Sequence, residues 1–380
     1  MTSAITWRAA SARRLDRQFP AIPSSEGRNV PQIVSAMLGA HAQVLSAAEL
    51  SIGVRTTGLT RADVRAALWT ERSLVKTYGP RGTVHLLPTA ELPLHCAALT
   101  AVPHAAPPSA PLTGERAEQV VAAIGEALDG RCLTAEELGA EVVARTGPWA
   151  ADPVIPAFQG MWPRWRAVLH RAGQEGTLCF GPNRGRRVTY TRPPRFTPLD
   201  RDTALTALVT RYLRAYGPAT PQHFAKWLAA PVGWASALFA TLAASGVTEQ
   251  VTFEGRPAWL AAGDTDFPDE PSRGVRLLPY FDAYGIAAQP RELLFPGRAY
   301  QRALAGGQAG NYPLLLVDGV VAGVWHQRRR GRRTTVTVEP LGTLTARQER
   351  ELGERVERVG EILEAEPEWG LGQVTAGAHA

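Results

Sequence analysis

The chain has 380 residues, 45% of them hydrophobic and 20% charged, which makes it too long for one small module and too apolar for a disordered polymer. Its formal net charge is +6 and its pI about 9.5, with Lys76 and Lys226 the only lysines. The positive charge is therefore almost all guanidinium, a planar fork of donors that fits phosphate and guanine edges and suggests a polyanionic partner, although an Arg- and Ala-heavy composition also follows from a GC-rich genome.

In chain order, a first group of elements fits between Asn29 and Leu87: a helix from Pro31, helices near Ala47 to Thr57 and Thr60 to Trp69, and strands around Leu74 to Tyr78 and Gly82 to Leu87. The link Gly39-Ala-His41-Ala-Gln43 lies where the first helix ends and before Ser46-Ala-Ala-Glu49 opens the next with a capping box. Residues i and i+2 of an extended segment share a face, so His41 and Gln43 should project side by side as a small polar pair in apolar surroundings. The residues alone also fit a pair that simply satisfies backbone groups between helices.

A second group starts with a helix from Glu115 to Leu128 and continues with a capping box at Thr134 and Glu137 and a helix to about Arg145. A third helix is expected from Met161, with Trp162, Trp165, Val168 and Leu169 on one face and Arg164, Arg166 and Arg171 among its polar positions. Two strands then flank the turn of Thr177 to Thr191. The same order recurs as Asp200 to Tyr216, a helix capped by Thr220 with Pro221 at its first position, Trp234 to Ser245, and a hairpin over Val247 to Leu260 turning at Glu254-Gly255. Helix, helix, helix, hairpin is the order of a winged helix, so three such units stand in tandem.

Beyond Gly263 come short β-like runs, Val275 to Tyr280, Tyr312 to Val317, Val320 to His326 and Thr334 to Val338, read as a small β-barrel or sheet. A capping box at Thr345 and Gln348 opens a closing helix with Leu352, Val356, Val359 and Leu363 on one face. The expected fold class is mainly α with β, divided at 1–110, 111–198, 199–263 and 264–366, with a disordered tail at 367–380.

No stretch approaches the roughly 18 apolar residues of a bilayer span and the first residues lack a signal-peptide core, so a cytoplasmic protein with no membrane partner is expected. Cys96, Cys132 and Cys179 are isolated, which argues against a disulfide framework or a zinc site. The common hydrolase, nucleotide-triphosphatase and zinc-enzyme motifs are absent. Guanidinium groups concentrate in three places: Arg164, Arg166 and Arg171 with His170 on the expected recognition helix, Arg184, Arg186 and Arg187 at a hairpin tip, and Arg328, Arg329, Arg330, Arg332 and Arg333 at a turn between strands. Five like charges at one turn repel unless phosphates or counterions compensate, so they are read as a DNA contact rather than as a merely solvated turn.

His41-Ala-Gln43, Arg55, Gly58-Leu59, Val64, Ala67-Leu68, Leu74-Val75 and Arg81-Gly-Thr-Val-His85 together resemble the winged-helix DNA glycosylases typified by the azinomycin-resistance enzyme. The resemblance continues through Leu178 to Arg187, Ala215 to Pro221, Phe281-Asp-Ala-Tyr284 and Val317-Asp-Gly319 to Trp325, and so covers nearly the whole chain. It implies three winged helices around a concave surface with a β-barrel, acting without metal or cofactor as a monomer on double-stranded DNA that carries N7-alkylated guanine, including bulky or crosslinked adducts. The family motif is Gln, an aliphatic residue, then Gln or Asp; Gln43 matches its second position and His41 replaces the first. The resemblance makes His41 and Gln43 the catalytic pair and Arg81, His85, Asp282 and Tyr284 their neighbours, with core hydrogen bonding the alternative for His85. The other reading of the whole chain is a non-enzymatic tandem winged-helix DNA-binding protein, a regulator or a lesion-binding shield.

Overall fold

The computed structural model describes residues 4–19, 29–103, 112–157, 160–304 and 306–375. It opens with α1 (Trp7–Gln18), capped by the Thr6 side chain. The first group follows as α2 (Val30–Ala36), β1 (Ala40–His41), α3 (Leu45–Gly53), α4 (Arg61–Trp69), β2 (Leu74–Tyr78) and β3 (Val84–Pro88), and α5 (Leu92–Ala101) leads away. Asn29 with Gln32 and Thr60 with Asp63 form reciprocal capping boxes that start α2 and α4.

The box expected at Ser46 and Glu49 does not form. Helix α3 begins two residues earlier, at Leu45 after Val44, with no side-chain cap. Glu49 is buried and takes the Arg65 guanidinium instead, at 2.6 Å. Burial pushes its carboxyl pKa up despite the opposing pull of Arg65, so a cap here would have given up the partner that makes that burial tolerable.

The second group comprises α6 (Gly114–Ala127), β4 (Leu133–Thr134), α7 (Ala135–Thr146), β5 (Pro153–Pro156), β6 (Met161–Pro163), α8 (Leu169–Gln174), β7 (Cys179–Arg184) and β8 (Arg187–Thr191). The helix expected from Met161 is largely absent. Met161–Pro163 is a strand paired with β5, Arg164–Val168 is a 3-10 turn, and α-helix starts only at Leu169. Pro163 has no N–H to give a helix and biases Trp162 toward extended backbone. Trp165, Val168 and Leu169 are nonetheless buried, while Trp162 is 45% exposed.

The third group is α9 (Arg201–Tyr216), α10 (Pro221–Leu228), α11 (Val232–Ala244), β9 (Thr248–Phe253) and β10 (Arg256–Ala261). Its core surrounds Tyr212, Phe224 and Phe239. The C-terminal region then runs through β11 (Val275–Leu278), the short helices α12 (Ala283–Ala287), α13 (Arg291–Leu294) and α14 (Arg298–Ala303), and β12 (Leu314–Val317), β13 (Val320–Arg330), β14 (Arg333–Pro340), α15 (Ala346–Leu363) and β15 (Glu366–Leu371).

Sheet pairing crosses the expected boundaries. The hairpins of the first two groups join through Lys76 opposite Phe180 into one six-stranded sheet, ordered β1-β3-β2-β7-β8-β4. The C-terminal sheet is linear, β11-β12-β13-β14-β15, so the expected barrel is half of one. Helix α15 covers it with Leu352, Val356, Val359, Ile362 and Leu363 against Leu277, Leu315, Trp325 and Val336. The tail expected to be disordered begins as a strand: β15 pairs parallel to β14, and Val374 is buried with its N–H on Glu339 and its carbonyl on Arg302. A parallel strand depends on a partner 33 residues back, and its local sequence, Glu-Pro-Glu-Trp-Gly-Leu, has no strand pattern. Residues 376–380 lie outside the described residues.

Helix α1 ties the third group to the C-terminal region. The fully buried Arg14 donates to the carbonyls of Gly217, Pro218 and Gln289 at 2.7–3.2 Å, and Ser11 bonds the Tyr284 hydroxyl and the Gly319 carbonyl. A guanidinium whose three nitrogens each donate to a carbonyl is one of the few charged groups a dry core tolerates.

Candidate active site

The approach to His41 is set by backbone constraints. After α2 the chain turns through Leu38 and Gly39, at φ of 60° and 105°. A Cβ on Gly39 would meet the Leu87 side chain at 2.9 Å, so the turn requires glycine twice over. The chain then pairs with β3, Ala40 opposite Leu86 and His41 opposite His85, and the Ala42 N–H reaches the Val84 carbonyl at 2.7 Å. The extended conformation expected for this link is present. It ends at a bend where Gln43 is exposed, while His41 keeps only 8% of its surface. A buried imidazole at the end of a short edge strand and an exposed amide at the bend that follows are thus two residues apart.

Two rings surround His41. His85 lies edge-on at 5.2 Å between centroids, and Phe281 packs at 4.5 Å with the planes 30° apart. His85 donates from Nδ1 to the Thr83 carbonyl at 2.9 Å, since a carbonyl can only accept. Burial, helped by the nearby His41 and Arg81, holds its pKa well below the ordinary imidazole value, so His85 is neutral at physiological pH. Phe281 sits in left-handed backbone at φ 56°, with its N–H on the Gly310 carbonyl at 2.9 Å. A bulky residue held there is backbone strain that the surrounding structure must impose.

The next residue provides that hold. Asp282 receives both terminal nitrogens of Arg55 at 2.7 and 2.8 Å and the Ser51 hydroxyl at 2.6 Å, and the two ion-pair side chains are 1% exposed or less. Its Oδ1 also accepts the Tyr284 N–H at 2.9 Å and starts α12. Asp282 and Tyr284 therefore face inward: the first is the buried clamp behind Phe281, and the second, fully buried, bonds Ser11. Arg81, also in left-handed backbone, donates to the Trp227 carbonyl at 3.0 Å and so joins the β2–β3 turn to α10. Phe281 and Arg55 were legible only as members of a resembling stretch; their positions behind the histidine depend on contacts more than 220 residues apart.

The guanidinium clusters differ in how far the protein already uses them. Arg164 bonds Asp152 at 3.1 Å, Arg171 pairs with Glu175 at 2.6 Å, Arg184 is held by Glu137, and Arg166 lies over the Trp162 ring at 4.3 Å. Arg186 and Arg187 are exposed and form no ion pair among the described residues. The run from Arg328 is the tip of the β13–β14 hairpin, with all five arginines exposed. Arg329 donates to the Leu363 carbonyl and Arg333 lies 3.6 Å from Glu368, whereas the side chains of Arg328, Arg330 and Arg332 make no hydrogen bond or ion pair among the described residues.

Strand β13 and the residues that follow Gln43 border the same space. A crevice of about 130 Å³ has Val44, Ser46 and Phe281 on one side and Trp325 and Gln327 on the other. Gln327 immediately precedes the arginine run. Among the described residues no group of three or more His, Cys, Asp or Glu could hold a metal ion, and no helix is long and apolar enough to cross a membrane.

Comparison with known proteins identifies relatives over nearly the full length. The family model "DNA glycosylase AlkZ-like" matches residues 34–362. A Streptomyces sahachiroi protein described as "Interstrand DNA cross-link repair glycosylase" is 29% identical over 340 residues, spanning 84% of this chain and 87% of its own. The solved structure of the Streptomyces sahachiroi DNA glycosylase AlkZ superposes with a TM-score of 0.79 at 25% identity, covering 98% of this chain and all of that one.

Proposed function

The chain belongs to the AlkZ-like DNA glycosylase family, and we propose that it is a monofunctional, metal-independent glycosylase that hydrolyses the N-glycosidic bond of N7-alkylguanine in double-stranded DNA, with His41 and Gln43 as its catalytic residues. Bulky or crosslinking adducts of natural-product alkylating agents are the proposed lesions, and self-resistance is the proposed role. The reading divides the chain into three winged helices, 1–110, 111–198 and 199–263, followed by the C-terminal region, and takes the protein to act as a monomer in the cytoplasm.

What supports it is a buried imidazole two residues from an exposed amide, with Phe281 packed on that imidazole and lining the crevice that Gln327, at the root of the arginine hairpin, also lines. N7 alkylation makes guanine cationic, so the base departs as a neutral molecule and needs no acid. What remains is to deliver water to C1′ and to tolerate positive charge on the sugar. The Gln43 amide oxygen accepts a hydrogen bond from the attacking water. A neutral His41 accepts a second and takes the proton as the bond to C1′ forms. General-base help of this kind is worth about 10²- to 10⁴-fold. The neutral His85 adds no competing positive charge beside it, and Phe281 fixes the ring plane. Arg328, Arg330 and Arg332, without protein partners, are the proposed phosphate contacts; Arg186 and Arg187 join them at the second hairpin tip. Arg164, Arg166, Arg171 and Arg184 reach phosphate by exchanging their present partners, and Arg329 and Arg333 flank the tip.

The test is incubation of purified protein with duplexes carrying 7-methylguanine or a bulky N7 adduct, followed by alkali. Strand cleavage at the lesion is expected, and His41→Ala or Gln43→Ala should slow it at least tenfold while duplex binding stays nearly the same. Tight, salt-sensitive binding with no base release on any adduct identifies a lesion-binding shield and ends the glycosylase reading. Full-rate excision by both variants moves the chemistry elsewhere.

A further inference from the structure

We infer that the crevice between Val44, Ser46 and Phe281 on one side and Trp325 and Gln327 on the other is a subsite for a single aromatic ring attached to the guanine N7. The inference rests on the glycosylase reading above and names a feature of the lesion that the reading leaves open.

The position comes first. N7 and the glycosidic nitrogen belong to the same five-membered ring of guanine, so a substituent on N7 starts within about one ring's width of the bond to be cut. Phe281 spans a similar width here: it packs on His41 at 4.5 Å and also lines the crevice. N7 opens into the major groove, and a group carried there leaves the base stack on the side from which a protein wall approaches.

Shape and chemistry agree with that occupant. The volume of about 130 Å³ is close to the roughly 150 Å³ in which an apolar cavity binds benzene, so one ring fits and a fused polycycle does not. The walls are preformed. Trp325 is 1% exposed and its indole N–H is fixed on the Leu278 carbonyl at 2.9 Å. Phe281 is held by Gly310 and the Asp282 clamp. Val44 is 42% exposed, an apolar side chain left at the mouth without a cover. A rigid apolar slot loses little freedom when it is filled. Gln327 Oε1 is buried in the wall and accepts no hydrogen bond among the described residues, so the occupant is favoured when its ring carries a hydroxyl or N–H.

The experiment measures single-turnover release of 7-benzylguanine and 7-methylguanine from otherwise identical duplexes. Ser46→Trp fills the slot from α3 and Gln327→Phe fills it from β13; each is checked for an unchanged thermal melt. Each should lower the benzyl-to-methyl rate ratio at least tenfold. A ratio within twofold of the unmodified protein's in a folded variant overturns the subsite. A readout that needs no variant is inhibition of the unmodified protein by free base: 7-benzylguanine should act at a concentration at least fivefold below 7-methylguanine, and equal inhibition overturns the proposal. Release of neither base by the unmodified protein would instead remove the glycosylase reading, and the subsite with it.

Discussion

Arg55 and Arg330 carry the same guanidinium in opposite surroundings. Arg55 has lost all contact with water and directs its nitrogens to Asp282, Ser51 and Gln18. Arg330 stands at the tip of the β13–β14 hairpin, and its side chain makes no hydrogen bond or ion pair among the described residues. The first is bound to the fold, because removing it would leave a carboxylate in a dry interior. The second is available, because its field is unspent and reaches a phosphate through only a little solvent. A net charge of +6 sums both kinds and separates neither.

The strongest test of the contrast removes the buried group. Arg55→Met should cost roughly 3–5 kcal/mol in urea unfolding, because Asp282 is left charged and unpaired. The same variant should loosen Phe281 behind His41. A loss under about 1 kcal/mol would mean that the clamp does not hold the segment.

Burial should also be visible in an imidazole. His223 accepts the Thr220 N–H through Nδ1 in the capping box of α10, and burial, aided by Arg14 and Lys226, lowers its pKa from 6.5 to about 4. A folded-state pKa below the unfolded one means that the unfolded chain binds the proton more readily. Stability is therefore complete above about pH 6.5 and is lost as pH falls toward 4, by up to roughly 3 kcal/mol. His223→Gln can keep the cap and does not titrate, so its unfolding midpoint should be flatter across that window. Parallel pH profiles for the two proteins would show that His223 is not the group responsible.

On the exposed side, replacing Arg328, Arg330 and Arg332 together with Gln should lower the slope of log affinity for duplex DNA against log salt by roughly 2–3, at about 0.9 per phosphate contact. Each replacement should leave folding stability within about 0.5 kcal/mol. An unchanged slope would place the duplex away from the hairpin. The smallest effect is expected at Arg184, which already faces Glu137 on the surface: Arg184→Ala should change the slope by less than one unit and stability by about 1 kcal/mol at most. A larger loss of binding would show that this arginine leaves Glu137 for DNA.

What could be read directly from the residues was local. The capping boxes at Thr134 and Thr345 and the cap at Thr220 are present, as are the turn at Glu254-Gly255 and the extended link at His41, because each depends on neighbours within a few positions. Ser46-Ala-Ala-Glu49 has the same local pattern and fails, since Arg65 offers Glu49 a better partner in three dimensions. The Met161 helix failed for a local reason that was visible: Pro163 stands inside it.

The sequence by itself determined the class of elements, the run of five arginines at one turn, and the extended link at His41. Those follow from side-chain period, caps and glycine placement, whose physics acts over a few residues. Tertiary structure alone decided that two hairpins merge into one sheet, that the last strand pairs in parallel with β14, and that Phe281, fixed by Arg55 and Asp282, lies against His41. It also brought the root of the arginine hairpin to the same crevice as the histidine segment. Contacts of that kind join residues from 33 to more than 220 positions apart, and they are chosen by how the whole core closes rather than by any pattern within reach of a local reading.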